Sequence, residues 1–319
     1  MPHLPSFADV EAAARRIAPH AHHTPVLRSR SLDALAGAQL HFKCENLQRA
    51  GAFKFRGACN AVWSMDDAQA AHGVVTHSSG NHGAALALAA RTRGIPAHVV
   101  VPEGAVASKL AAIAAYGAVL HRCAPGMAAR EAAAEALRQA TGATLVHPFT
   151  DPQVIAGQGT ATLELLAQAG PLDVVVAPVG GGGLVAGTAI AAHARQPELA
   201  VIAAEPAGAA DAAASLARGR RVTDLQPDTI CDGLRGTIGE INLQLLRTHQ
   251  VEVVTVDDRA TVAAMRLLFE RLKLVVEPSS AVALAAVLAH PARFAGQRVG
   301  LVLTGGNVDL DALPFGAAG

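Results

Sequence analysis

Short valine-rich apolar runs alternate along the chain with longer alanine-rich stretches of helical period. Residues 74–76, 98–101, 119–120, 174–177, 201–204 and 299–303 read as buried strands, and 83–93, 109–115 and 128–141 as helices. Strands alternating with helices predict right-handed βαβ crossovers and a mainly parallel sheet. The strands between Val74 and Leu120 are separated by single short helices, as in a compact three-layer unit, and those after Asp173 begin a second series. The pattern therefore predicts an α/β fold of two three-layer α/β/α lobes with mainly parallel sheets. Residues 1–72 and 151–319 form the large lobe and 73–150 the small one.

Composition narrows this picture. The longest uncharged stretch, 174–194, approaches membrane-spanning length. Pro178 and the glycines 180–183 break its middle, so it predicts strand, loop and helix instead. Residues 1–10 show neither the basic cluster nor the apolar core of a signal peptide. Cys44, Cys59, Cys123 and Cys231 are scattered with no C-x-x-C pair, which argues against a zinc cage and suits the reducing cytoplasm. The 26 basic residues balance 26 acidic ones, so charge points neither to nucleic acid nor to an anionic membrane as partner. Only four of the cations are lysines, Lys43, Lys54, Lys109 and Lys273, which leaves four candidates for amine chemistry.

In parallel sheets ligands bind where strands end and helices begin. Thr76-His77-Ser78-Ser79-Gly80-Asn81-His82-Gly83 occupies such a place, with small hydroxyl, glycine and amide groups that suit an anion at a helix N-terminus or, more blandly, a capped turn. Pro178-Val179-Gly180-Gly181-Gly182-Gly183-Leu184 occupies another. Four glycines in succession let several N–H groups converge on a phosphate, although the run matches neither common nucleotide pattern and a merely flexible loop is the alternative. Leu303-Thr304-Gly305-Gly306-Asn307 ends the last strand. Finally, Gly51-Ala52-Phe53-Lys54-Phe55-Arg56-Gly57-Ala58 sets a lysine between aromatics at the head of a helix. Desolvation and the helix dipole both disfavour its charged form, as a Schiff-base amine requires; a snorkelling surface lysine is the plain alternative.

Taken together and in this order, the four segments resemble the fold-type II pyridoxal phosphate enzymes. Within them the chain is similar to the serine racemase and serine/threonine dehydratase family, including its threo-3-hydroxyaspartate dehydratase-like branch, from Thr24-Pro25-Leu27 to Asn307-Val308-Asp309. The resemblance implies that Lys54 holds pyridoxal 5'-phosphate covalently and later removes the substrate Cα proton, with Phe53 packed on the ring. It implies Asn81 at the ring hydroxyl, Gly180, Gly181, Gly182, Gly183 and Leu184 around the phosphate, and Thr304 at the pyridine nitrogen. A hydroxyl there does not enforce a pyridinium, which makes the ring a moderated electron sink suited to β-elimination. Ser78, Ser79, Asn81 and His82 would bind the substrate carboxylate. His77 and His82 are read as shaping their loop rather than as catalysts.

Further residues sharpen the branch. Ser79 stands where racemising relatives have a serine on the face opposite the lysine, and two acid–base groups flanking one Cα are what racemisation needs. Glu205, the Ala209 carbonyl and Asp211 match the branch's divalent-cation site, hard oxygen ligands for Mg²⁺, Mn²⁺ or Ca²⁺; solvated surface carboxylates are the alternative. Arg130 has the spacing of a substrate-recognising arginine, able to fork onto a second carboxylate, or else pairs on the surface. Tyr116 stands where the branch has a tyrosine near the cleft. Gly236, in Asp232-Gly233-Leu234-Arg235-Gly236-Thr237, departs from the racemase pattern, which has a serine touching substrate there.

The expected activity is a dehydratase (ammonia-lyase) converting L-serine, L-threonine or 3-hydroxyaspartate to a 2-oxo acid and ammonia. A serine or aspartate racemase, a phenylserine dehydratase and a non-enzymatic module for a small anion are the alternatives. A β-replacement synthase fits less well, because Asn81-His82-Gly83 replaces the loop those enzymes favour. The expected partners are a small amino acid and a second copy of the chain in a cytoplasmic homodimer.

Overall fold

The computed structural model describes residues 3–315; the outermost ends of the expected large lobe, 1–2 and 316–319, lie outside them. Among the described residues ten strands form two sheets: β1 (Val26–Leu27), β2 (Gln39–Cys44), β3 (Val74–Thr76), β4 (Ala97–Pro102), β5 (Val119–Cys123), β6 (Thr144–Leu145), β7 (Val174–Pro178), β8 (Ala200–Pro206), β9 (Glu252–Val256) and β10 (Arg298–Leu303). Six are ordered β1-β2-β10-β7-β8-β9 and four β5-β4-β3-β6. Every pairing is parallel except the short β1–β2 ladder. All six runs expected to be strands are strands, and helices lie at Asn81–Arg93, Ala107–Ala115 and Met127–Thr141 where helical period was read.

Why these runs are continuously apolar follows from the layering. In β7, Val174 and Val176 pack into one core and Val175 and Ala177 into another, on the opposite face. A parallel strand covered on both faces has no solvent side to mark with polar residues. The first core is closed by the helix Pro278–Ala289 and the second by Gly183–Arg195 and Pro152–Ala169. The four-stranded sheet has its own core, including Val74, Val99, Leu86 and Ile113.

Four strands were not foreseen. β1 and β6 are two residues each, too short for any period to show. β9 has only two buried positions, Val254 and Val256, as befits an edge strand. In β2 the pattern is broken by His41 and Lys43, both buried. Among the described residues no helix is long and apolar enough to cross a membrane.

Candidate active site

A cavity of about 300 Å³ lies at the carboxyl ends of the neighbouring strands β2, β10 and β7 and of β3 in the smaller sheet. Four helices begin there: Lys54–Ser64, Asn81–Arg93, Gly183–Arg195 and Pro278–Ala289. Their N-cap residues, Phe53, Gly80, Gly182 and Glu277, all line the cavity, and none of the four helices has a side-chain cap. At Asn81–Arg93 and Gly183–Arg195 the first-turn N–H groups have no partner within the helix, so these starts present donors and positive dipole ends to whatever enters; at Lys54–Ser64 they are taken, Phe55 and Arg56 by the Ala52 and Phe53 carbonyls and Gly57 by Gln158 Oε1.

Lys54 is the first residue of its helix, and its Nζ donates to the Pro148 carbonyl at 2.9 Å. Burial pulls its amine down to about 8, the Glu277 carboxylate opposing the shift. Phe53 precedes it, held by an N–H bond to the Thr304 carbonyl at 2.9 Å and with its ring centroid 5.1 Å from Nζ. The bridge between Ala52 and Gly305 continues this tie. Thr304 is buried and its hydroxyl has no hydrogen-bond partner.

The glycine run is constrained by its neighbours. A Cβ on Gly181 would come within 2.3 Å of the Phe149 ring, and Gly182 has φ +90°, which an L side chain rarely adopts. Asn242 secures the loop from behind, its Nδ2 donating to the Gly181 and Phe149 carbonyls at 2.6 and 2.8 Å. The loop is thus rigid, with its backbone bare toward the cavity.

Across the cavity, Asn81 donates from Nδ2 to both oxygens of Glu277 and accepts from Asn307 at 3.0 Å. His82 is buried with Nε2 bonded to the Val146 carbonyl at 3.2 Å, and burial holds its ring well below the usual histidine range. Its Nδ1 is buried without a hydrogen-bond partner. Ser78, Ser79 and Arg130 also line the cavity, Arg130 with Nε 3.4 Å from the Gly126 carbonyl of its own helix. Tyr116 does not line it: this residue ends the helix Ala107–Ala115 and is half-buried against the core of the smaller sheet.

Glu205 and Asp211 lie outside the cavity, at and beyond the end of β8. Both are buried, as is Ala209. Glu205 accepts the N–H groups of Ala212 and Ala213 at 2.8 and 2.9 Å, and Asp211 that of Ile238 at 2.7 Å. Burial raises both carboxyls, Glu205 to about 8, and the charge of Asp211 adds to that shift. Another grouping, His77, Glu131 and His147, brings donor atoms within 4.8 Å of one another. There, however, His147 Nδ1 already accepts the Thr150 N–H at 3.1 Å, so the neutral ring carries its hydrogen on Nε2 and offers no lone pair to a metal.

Sequence reasoning passed over Glu277 and Phe149, and it named Lys109 and Asp232 without a role at the cavity. Lys109 and Asp232 form an ion pair that joins the two lobes at the cavity, and both line it. Pro278 at a helix start was a readable signal for the position of Glu277; Phe149 carried none.

The pattern of the family described as "Pyridoxal-phosphate dependent enzyme" matches residues 17–305. A beta-hydroxyaspartate dehydratase from Paracoccus denitrificans is 48% identical over 313 residues, covering 98% of this chain and 99% of that protein. A serine racemase from Arabidopsis thaliana is 48% identical over 309 residues, covering 95% and 93%. Among solved structures, maize serine racemase superposes with a TM-score of 0.94 at 44% identity, covering 98% of this chain and 96% of that one.

Proposed function

The chain belongs to the family of pyridoxal-phosphate dependent enzymes, with the fold of its type II members, and from that premise we propose that it is a β-hydroxy amino acid dehydratase whose preferred substrate is 3-hydroxyaspartate. One observation carries the reading: a single cavity is lined by a buried amine, an uncapped glycine-loop helix start and a hydroxyl without a partner. These are the groups that the aldehyde, phosphate and ring nitrogen of pyridoxal phosphate require. Bound there, the cofactor supplies an electron sink for the charge left on Cα when its proton departs.

The chain's own residues do the rest. Lys54 would hold the cofactor through Nζ and would take the Cα proton. Gly180–Gly183 and Leu184 would hold its phosphate through backbone N–H groups, Phe53 would lie against its ring, and the Thr304 hydroxyl would serve its ring nitrogen. Asn81, whose amide donates to Glu277, would serve the ring hydroxyl. The backbone of Ser78, Ser79, Asn81 and His82 binds the α-carboxylate, and the Arg130 guanidinium forks onto the distal one. The lobe built from residues 73–150 closes over the large lobe and excludes water.

Ser79 favours a second activity, racemisation of serine or aspartate, because it lines the same cavity as Lys54. The two buried carboxylates Glu205 and Asp211, with the Ala209 carbonyl, form a divalent-cation site; two buried carboxyls, both raised by desolvation and bonded by backbone N–H groups rather than by a cationic side chain, support it. We place the enzyme in the cytoplasm as a homodimer, in keeping with its unpaired cysteines; light scattering tests the dimer.

The test of the main reading is release of 2-oxo acid from L-serine, L-threonine, 3-hydroxyaspartate and phenylserine, with chiral analysis of the remainder. 3-Hydroxyaspartate gives the highest kcat/KM, and Arg130→Ala lowers it for that substrate by about tenfold or more, the loss of one charge-assisted pair. No 2-oxo acid from any of the four overturns the reading.

A further inference from the structure

Two residues beyond Lys54, Arg56 is fully buried. Its guanidinium makes two forks. Nε and Nη2 donate to Glu45 at 2.7 and 2.8 Å, and Nη1 and Nη2 to Glu164 at 2.7 and 2.8 Å. Lys43, also fully buried, donates to Glu164 at 2.6 Å and to the Thr24 carbonyl at 2.7 Å, while the Thr24 hydroxyl donates to Glu45 at 2.5 Å. Two buried cations, the buried Glu45 and the partly exposed Glu164 thus form one cluster, and no step of the reaction above uses them.

Buried ion pairs of this kind return little net stability, because desolvation offsets their attraction, and well-packed apolar side chains often serve as well. Forked pairs supply direction instead. Glu45 follows β2, Glu164 lies on the helix Pro152–Ala169, and Arg56 sits in the first turn of the uncapped helix that begins with Lys54. The helix Pro152–Ala169 is preceded within four residues by Pro148, whose carbonyl accepts from Lys54 Nζ. Amine and acceptor are therefore carried by two segments that the Arg56–Glu164 fork joins. The join is close: the Gly57 N–H donates to Gln158 Oε1 at 3.1 Å, and a Cβ on Gly57 would meet the Val154 carbonyl oxygen at 2.7 Å.

We propose that Arg56, braced by Glu45 and Glu164, is a positioning residue for the Lys54 amine, holding it in the cavity beside the Pro148 carbonyl. The inference rests on Lys54 being the reactive amine of the proposed dehydratase, but its first readout needs no cofactor. The chain's lysines are so few that an amine-acylating reagent, read peptide by peptide by mass spectrometry, reports Lys54 separately, with exposed Lys273 as the internal reference.

In cofactor-free parent protein Lys54 labels with a midpoint at about 8. Arg56→Met and Glu164→Gln let Nζ reach water, and the midpoint rises by about one unit or more toward that of an ordinary lysine. Glu277, His82 and His147, the titratable groups whose charges couple to Lys54, are untouched in these variants. In the loaded enzyme kcat falls by about 10²-fold with KM nearly unchanged, the effect of a displacement of roughly 1 Å at the reacting group. Arg56→Lys keeps the charge without the fork and does not rescue. If the Arg56 variants fail to fold, Glu164→Gln, at a side chain 20% exposed, decides alone. An unchanged Lys54 midpoint and unchanged kcat in Glu164→Gln, with only thermal stability lowered, overturn the proposal. A parent protein that releases no 2-oxo acid overturns the dehydratase reading instead and leaves the labelling result standing.

Discussion

The amide nitrogen of Asn81 lies 3.0 Å from each carboxylate oxygen of Glu277, across the boundary between the lobes. Burial raises the Glu277 carboxyl from its ordinary 4.5 to about 7, with the Asn81 bond opposing that rise. Between those two values the unfolded chain has released the proton that the folded one keeps. Folded stability therefore falls as pH rises through this window, by about 3 kcal/mol in total. In Glu277→Gln that part of the slope disappears, so the variant gains on the parent above about pH 7. Urea unfolding of cofactor-free protein at a series of pH values checks it; identical slopes refute it.

Cofactor capture follows the neutral amine. With the Lys54 amine at about 8, the rate at which the cofactor-free protein acquires the bound cofactor's absorbance rises with pH and levels off above that value. Lys54→Ala shows no covalent cofactor and no activity. A variant that keeps both colour and turnover would remove Lys54 from its role.

A cation at Glu205 and Asp211 has to displace protons, since burial raises both carboxyls, Glu205 to about 8. Thermal stabilisation by Mg²⁺, Mn²⁺ or Ca²⁺ is accordingly small near about pH 6 and grows toward about pH 8. Glu205→Gln and Asp211→Asn abolish it. A melting temperature indifferent to chelator at both pH values counts against the site.

Ser79 and Lys54 line one cavity, and their roles separate by reaction. Ser79→Ala loses racemisation by about 10²-fold or more while 2-oxo acid release stays within a few-fold. Parallel loss of both activities would mean that Ser79 serves binding alone.

Two glycines of the cavity respond oppositely. A Cβ on Gly181 collides with the Phe149 ring, whereas one on Gly236 meets its nearest neighbours at 3.7 and 3.9 Å, ordinary contact. Gly181→Ala loses cofactor binding in equilibrium dialysis. Gly236→Ser retains it and narrows the cavity, so turnover of phenylserine falls more than that of serine.

Much of this was legible because both faces of a central parallel strand are covered. Residues 174–177 had to be apolar throughout, and the loop that follows had to carry the polar work. Lys54 stood out because lysines are scarce and this one is flanked by aromatics. β2 was illegible for a physical reason: buried Lys43 reads as a solvent marker until Glu164, 121 residues further on, supplies its partner. Glu277 was hidden likewise, since its meaning depends on Asn81, 196 residues away. Tyr116 shows the converse, a residue whose place in the sequence pointed to the cleft while its helix seats it against the small core.

Two of the helices that open on the cavity, Asn81–Arg93 and Gly183–Arg195, have no side-chain cap and forgo about 1 kcal/mol apiece that a serine or aspartate would give. The guest supplies those caps when it arrives. Occupancy and folding are then a single equilibrium, and the vacant chain is the one that unfolds and meets proteases first. A molecule that binds the folded chain there raises its resistance to unfolding and to proteolysis.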